Sequence, residues 1–189
     1  MDDAERVEPT VLTQWSAWLE QHHATTPGVW LVSAKKTSGR QAYDYDDAVV
    51  EALRWGWVDS TQRSVDEHRS MMWFAPRRPQ SVWTRNNKQR IARLEAEGRL
   101  EPAGRAAVEA AKANGMWTLM DDVEDLVVPA DLADAFGAHP GSRERYDAFR
   151  PSVRKQILAW IALAKRPETR AARVTATASM AAEGRPSRG

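Results

Sequence analysis

The chain has no cysteine in its 189 residues. That excludes disulfide cross-links, a thiolate nucleophile and cysteine-ligated zinc, and it suits a reducing compartment. No run of about 18 apolar residues occurs, so no membrane-spanning helix is expected. The opening Met1-Asp2-Asp3-Ala4-Glu5-Arg6 is acidic and leads into no apolar stretch, unlike a secretory signal or a transit peptide. A cytoplasmic protein is the expectation. A dominant charge is missing too: 27 basic residues face 26 acidic ones, so no overall field steers the molecule toward nucleic acid or an anionic membrane. Any electrostatic function has to be local. His22, His23, His68 and His139 show no ligand spacing with neighbouring carboxylates, and there is no glycine-rich phosphate loop or nucleophile elbow. Neither a metal nor a cofactor is expected, and the chemistry-bearing residues favour a binding protein over an enzyme.

What is present divides into short periodic segments. Val11, Leu12, Trp15, Trp18 and Leu19 recur at helical spacing behind Pro9. Val29-Trp30-Leu31-Val32 is β-branched and aromatic and closes in turn residues, which predicts a strand. Asp44 is placed to cap a second helix with Ala48, Val49, Ala52 and Leu53 inward, ended by Gly56. Trp57-Val58 reads as a short strand, and Met71 to Phe74 as another, stopped by Pro76. Helical periodicity returns over Val82–Glu97 through Trp83, Ile91 and Leu94, and over Pro102–Ala113. Val153, Ile157, Trp160, Ile161 and Ala164 form the clearest amphipathic stripe, and Pro167 restarts a last helix. The order implies α+β: residues 1–8 disordered, an α+β domain over 9–115, an acidic connector over 116–128, a helical segment over 129–183 and a frayed tail over 184–189.

Four segments, in this order and spacing, resemble the YdeI/OmpD-associated family: Gly28-Val29-Trp30-Leu31 with Lys35-Lys36, Glu51 to Asp59, Phe74 to Trp83, and Ala164 to Arg170. The resemblance runs from about Thr13 to Ala182. It implies an N-terminal part similar to the YjbR/CyaY-like superfamily, with a small antiparallel sheet packed by helices, and then an all-helical OmpD-associated segment. No established chemistry comes with the family. The frataxin-like kinship also implies iron handling, yet Glu20 is the first helix's only carboxylate after Pro9, so the oxygen ligands for iron are missing.

The most loaded stretch is His68 to Leu94, with seven basic residues and no acidic one. Arg77 and Arg78 lie between two prolines, and a guanidinium fork suits carboxylate or phosphate. Ser81 is read as standing just ahead of a helix whose free amides favour anions. Trp57, Trp73 and Trp83 would wall the site and Lys35 and Lys36 close it, with Lys36 and Asp59 orienting the ligand and Asn87 hydrogen-bonding it. The partner implied is an anionic small molecule or a nucleic-acid segment. The bland alternative puts both indoles in the core and pairs Asp59 with Arg77 or Arg78. Two further readings are an adaptor that binds protein through the C-terminal helices, and an enzyme with Asp59 as general base. Arg166, Arg170 and Arg173 share a helical face that could dock on phosphates or on Asp121 to Asp125; the second needs no partner and is the expectation.

Overall fold

The computed structural model describes residues 4–35, 38–39 and 43–188. It divides into two compact units, one of residues 1–81 with 86–117 and one of residues 82–85 with 118–189.

The first unit holds a sheet in the order β1-β2-β4-β3, formed by Arg6–Val7, Val29–Ala34, Arg69–Pro76 and Trp57–Ser64 in that spatial order. Pairing of β2 with β4 and of β3 with β4 is antiparallel. The first strand runs parallel to the second, Arg6 opposite Trp30 and Val7 opposite Leu31. The fold is thus α+β, with a mixed rather than wholly antiparallel sheet. Residues 6 and 7, expected in a disordered start, are drawn in because they complete backbone hydrogen bonds along an otherwise open edge.

Strand β2 reads as an unbroken apolar run because both its faces are covered. Val29 stands opposite Phe74 and Val32 opposite Met71, on alternate faces. On the Phe74 face lie α1 (Leu12–His22) and α2 (Tyr45–Arg54). The Trp15 ring meets Phe74 at 5.3 Å, stacks on Trp18 at 5.4 Å and donates its indole N–H to the Ala48 carbonyl at 3.0 Å. On the other face Trp30, Val32 and Met71 form a smaller cluster with Trp73 and Val65.

Strand β3 is longer than the expected Trp57-Val58 pair, since its outer half is polar and exposed and so carries no hydrophobic signal. One additional residue bulges out of it between Asp59 and Gln62. Such a bulge twists the strand and re-aims the side chains beside it.

Helices α3 (Arg85–Ala96) and α4 (Pro102–Ala113) follow. Helix α3 starts at Arg85, not Val82, and the 3.6-residue spacing from Trp83 to Ile91 and Leu94 crosses its true boundary. Gly104 of α4 lies against the end of α2, where a Cβ would come within 2.4 Å of the Arg54 carbonyl oxygen. Only glycine permits that approach.

The second unit is helical: α5 (Asp121–Glu124), α6 (Ala130–Gly137), α7 (Ser142–Asp147), α8 (Pro151–Ala162) and α9 (Pro167–Ala182). Its core joins Leu132, Phe136, Tyr146, Ile157, Ile161, Val174 and Ala178, with Val82 packed against it. Alanines at 178 and 181 are wholly buried and let neighbouring helices approach α9 closely. The acidic stretch is built rather than extended. After α5 the Val127 N–H bonds the Asp122 carbonyl at 2.8 Å and the Leu126 N–H bonds that of Val123 at 3.2 Å. Leu126 takes the left-handed conformation, φ 57°, that this C-terminal cap requires. The tail after α9, expected to fray, turns back instead: the Arg185 N–H bonds the Met180 carbonyl at 2.9 Å, and Ser187 meets Thr177 Oγ1 at 2.9 Å.

The expected docking of C-terminal arginines on Asp121 to Asp125 is replaced by other pairings. Arg170 binds Asp131 through Nε at 2.7 Å and Nη2 at 3.0 Å. Arg173 lies over the Trp160 ring, 5.0 Å from its centroid. The acidic side chains serve Arg85, whose guanidinium bonds Asp125 at 2.6 Å. Among the described residues no helix is long and apolar enough to cross a membrane.

Candidate functional site

In the first unit, the start of α2, the bulge of β3 and the exit of β4 contribute to one polar corner. The register sets Asp59 opposite Phe74, on the helix-covered face of the sheet. There its Oδ2 accepts the Tyr45 hydroxyl hydrogen. Arg77 leaves β4 with its N–H bound to the Gly56 carbonyl at 2.9 Å, which fixes its backbone. Burial pushes its guanidinium down to about 10, against a smaller upward pull from the Asp59 charge. A cation there loses more solvation than one carboxylate restores.

Arg90 of α3 stands beside this pair, close enough for its charge to act on Tyr45. It donates to Asp46 through Nε at 3.1 Å and to Asn87 Oδ1 at 2.6 Å. The hydrogen-bond partner expected for Asn87 is thus Arg90. Arg78 is exposed at the surface next to Arg77. The corner thus joins Tyr45 to Asp59 and Arg90 to Asp46, with the Asp59 charge acting on Arg77.

Other expected members lie elsewhere. Ser81 does not head a helix; its N–H closes a turn onto the Arg78 carbonyl at 2.9 Å. The backbone N–H of Arg85, where α3 does begin, is taken by the Glu124 carboxylate at 3.0 and 3.2 Å. An acidic side chain of the protein fills the position at which a foreign anion was expected. Trp57 is 1% exposed, meets Trp18 edge-on at 5.9 Å and gives its N–H to the His23 carbonyl at 3.1 Å. Trp83 is also 1% exposed and belongs to the second unit. Neither ring offers a face to solvent, which corrects the expected aromatic wall: large indoles are drawn inward by the area they bury. Lys36 lies outside the described residues. Its neighbour Lys35 reaches the β3–β4 hairpin, binding Ser64 Oγ at 3.0 Å and the Asp66 carbonyl at 2.7 Å.

Sequence reasoning missed Tyr45 and Asp46 and counted Arg90 only as one of seven cations. Their only local signal was the polar run Asp44-Tyr45-Asp46 at a helix start, which reads as capping; yet Asp44 makes no side-chain cap.

The molecule is thus an α+β unit with a charged corner, and a helical unit. Residues 7–107 match the family described as Domain of unknown function (DUF8412), and residues 125–184 match the family described as Bacteriocin-protection, YdeI or OmpD-Associated. The first match spans more than half of the chain, so the chain belongs to the DUF8412 family, and it carries a YdeI/OmpD-associated domain toward its C-terminal end. Of the four segments that carried the resemblance, only Ala164 to Arg170 falls in the YdeI/OmpD-associated match; the other three fall in the DUF8412 match. Nothing among curated proteins or solved structures matches the chain.

Proposed function

We propose that the chain is a non-enzymatic binding protein of the cytoplasm that holds a small anion at Arg77 and Arg78, beside the Tyr45–Asp59 pair. The observations behind this reading are the largely buried Arg77 guanidinium, on which burial outweighs the pull of Asp59, and the exposed Arg78 next to it in sequence. An incoming carboxylate or phosphate adds negative charge beside these guanidiniums and gains a forked contact. Arg78, exposed alongside, completes the grip from the solvent side. Asp59 fits a positioning role better than that of a general base, because one of its oxygens is already engaged by Tyr45. A chain without cysteine suits the cytoplasm.

The test is thermal unfolding of the whole chain in phosphate, sulfate and citrate against chloride at matched ionic strength. Anion binding raises the melting temperature with concentration, by linkage. Arg77→Gln with Arg78→Gln should remove that rise while far-ultraviolet circular dichroism stays unchanged. A rise that persists in the double variant rejects the site.

A further inference from the structure

A second arrangement, wholly within the helical unit, has chemistry that the charged corner does not use. The end of α8, the face of α9 and the returning tail enclose a groove of about 550 Å³ lined by Gln156, Ala159, Trp160, Leu163, Arg173 and Arg188. That volume falls in the range of roughly 300–1,000 Å³ typical of small-molecule sites. The cavity beside Leu119, Val127 and Pro129 in the same unit, at about 200 Å³, does not.

Every charged residue lining the larger groove is an arginine. The Arg173 guanidinium carbon lies 5.0 Å from the centre of the Trp160 ring, and its Nη1 donates to the Trp160 carbonyl. Indole and guanidinium thus form a cation–π pair fixed by that hydrogen bond. Leu163, 47% exposed, adds an apolar edge alongside. Arg188 arrives on the tail, which Thr177, Ser187 and the Met180 carbonyl hold back along α9. Arg188 is itself exposed.

We propose that this groove binds the base and phosphate of a nucleotide, either free or within a single strand. The flat base packs on the Trp160–Arg173 pair, as bases do on aromatic and guanidinium planes. Arg188 takes the phosphate as a fork, and Gln156 offers both a donor and an acceptor to the base edge.

The experiment titrates the full chain by calorimetry with adenosine diphosphate, with a ten-residue oligothymidylate and with pyrophosphate as a ring-free control. Adenosine diphosphate should bind at least about tenfold more tightly than pyrophosphate, the share owed to stacking. Arg188→Ala changes only an exposed tail residue and should weaken binding about tenfold; Trp160→Leu should do the same where it remains folded. Arg77→Gln with Arg78→Gln should leave it unchanged, which separates this groove from the charged corner. If oligothymidylate binds more tightly than adenosine diphosphate and weakens steeply with salt, the groove reads single strands; if adenosine diphosphate binds as tightly or better, it reads free nucleotides. The proposal is overturned if neither probe binds, if pyrophosphate matches adenosine diphosphate, if Arg188→Ala binds normally, or if the Arg77/Arg78 variant abolishes binding.

Discussion

The hydroxyl of Tyr45, at the first turn of α2, donates to the carboxylate of Asp59 on β3. Burial first, and then this bond to an anion, raise the Tyr45 pKa above its usual value. Burial likewise pushes Tyr43 up to about 12 and raises Tyr146. All three tyrosines of the chain are therefore shifted the same way. A phenol whose folded pKa is raised contributes stability that is complete below its unfolded value near 10 and is lost as pH climbs toward the folded value. Arg77, shifted down to about 10, acts in the opposite sense and offsets part of that loss. Phenolate absorbance at about pH 11 should stay low in the native protein and be nearly complete in urea. Ordinary titration near pH 10 in the native state would contradict the burial and bonding described.

Glu51 is a second point at which one carboxylate gathers several elements of the first unit. It is 4% exposed, accepts from Ser16 Oγ at 2.9 Å and pairs with Arg99 and, at 3.6 Å, with Arg54. Arg54 in turn binds Glu101 at 2.6 Å. Glu51→Ala leaves two cations facing a small void. The expected loss is about 2–3 kcal/mol, less than for a fully buried pair because both arginines reach solvent. Ser16→Ala removes one neutral donor and should cost about 1 kcal/mol. Urea unfolding of both variants checks the order.

Leu126 holds a left-handed backbone that costs a non-glycine residue about 1–2 kcal/mol, while its side chain packs against the helical core. Leu126→Gly relieves the strain and loses the packing, so the net change should lie within about 1 kcal/mol. Leu126→Val keeps an apolar side chain but is β-branched, and should cost about 2 kcal/mol or more. A glycine variant clearly less stable than the valine one, read from denaturant midpoints, would show that the backbone stores no strain there.

Elements with a strong period were legible in the residues. The apolar run of β2 and the stripe from Val153 to Ala164 declare themselves, since one is buried on both faces and the other on one face of a helix. Arg6–Val7 is too short to carry a pattern, and Asp59 to Ser64 has the polarity of a loop because that half of β3 faces water. For the corner, Asp59, Arg77 and Asn87 were marked by unusual polar placement. Tyr45 and Asp46 were not, since their partners are 14 and 44 residues away in sequence. Nor does composition separate a sealed indole, such as Trp57 at 1% exposure, from the half-buried Trp160 that lines a groove.

The four residues Val82–Arg85 are counted with the helical unit although more than thirty residues of the other unit follow them in the chain. They bring Val82 to its core and the Arg85 amide to Glu124. A fragment cut at Thr118 would therefore leave behind part of its own interior, and should be less soluble and less cooperative in unfolding than the family match suggests. Gene fusions or truncations that treat the C-terminal match as a portable module would have to carry this short upstream piece with it, or supply a substitute for it in trans.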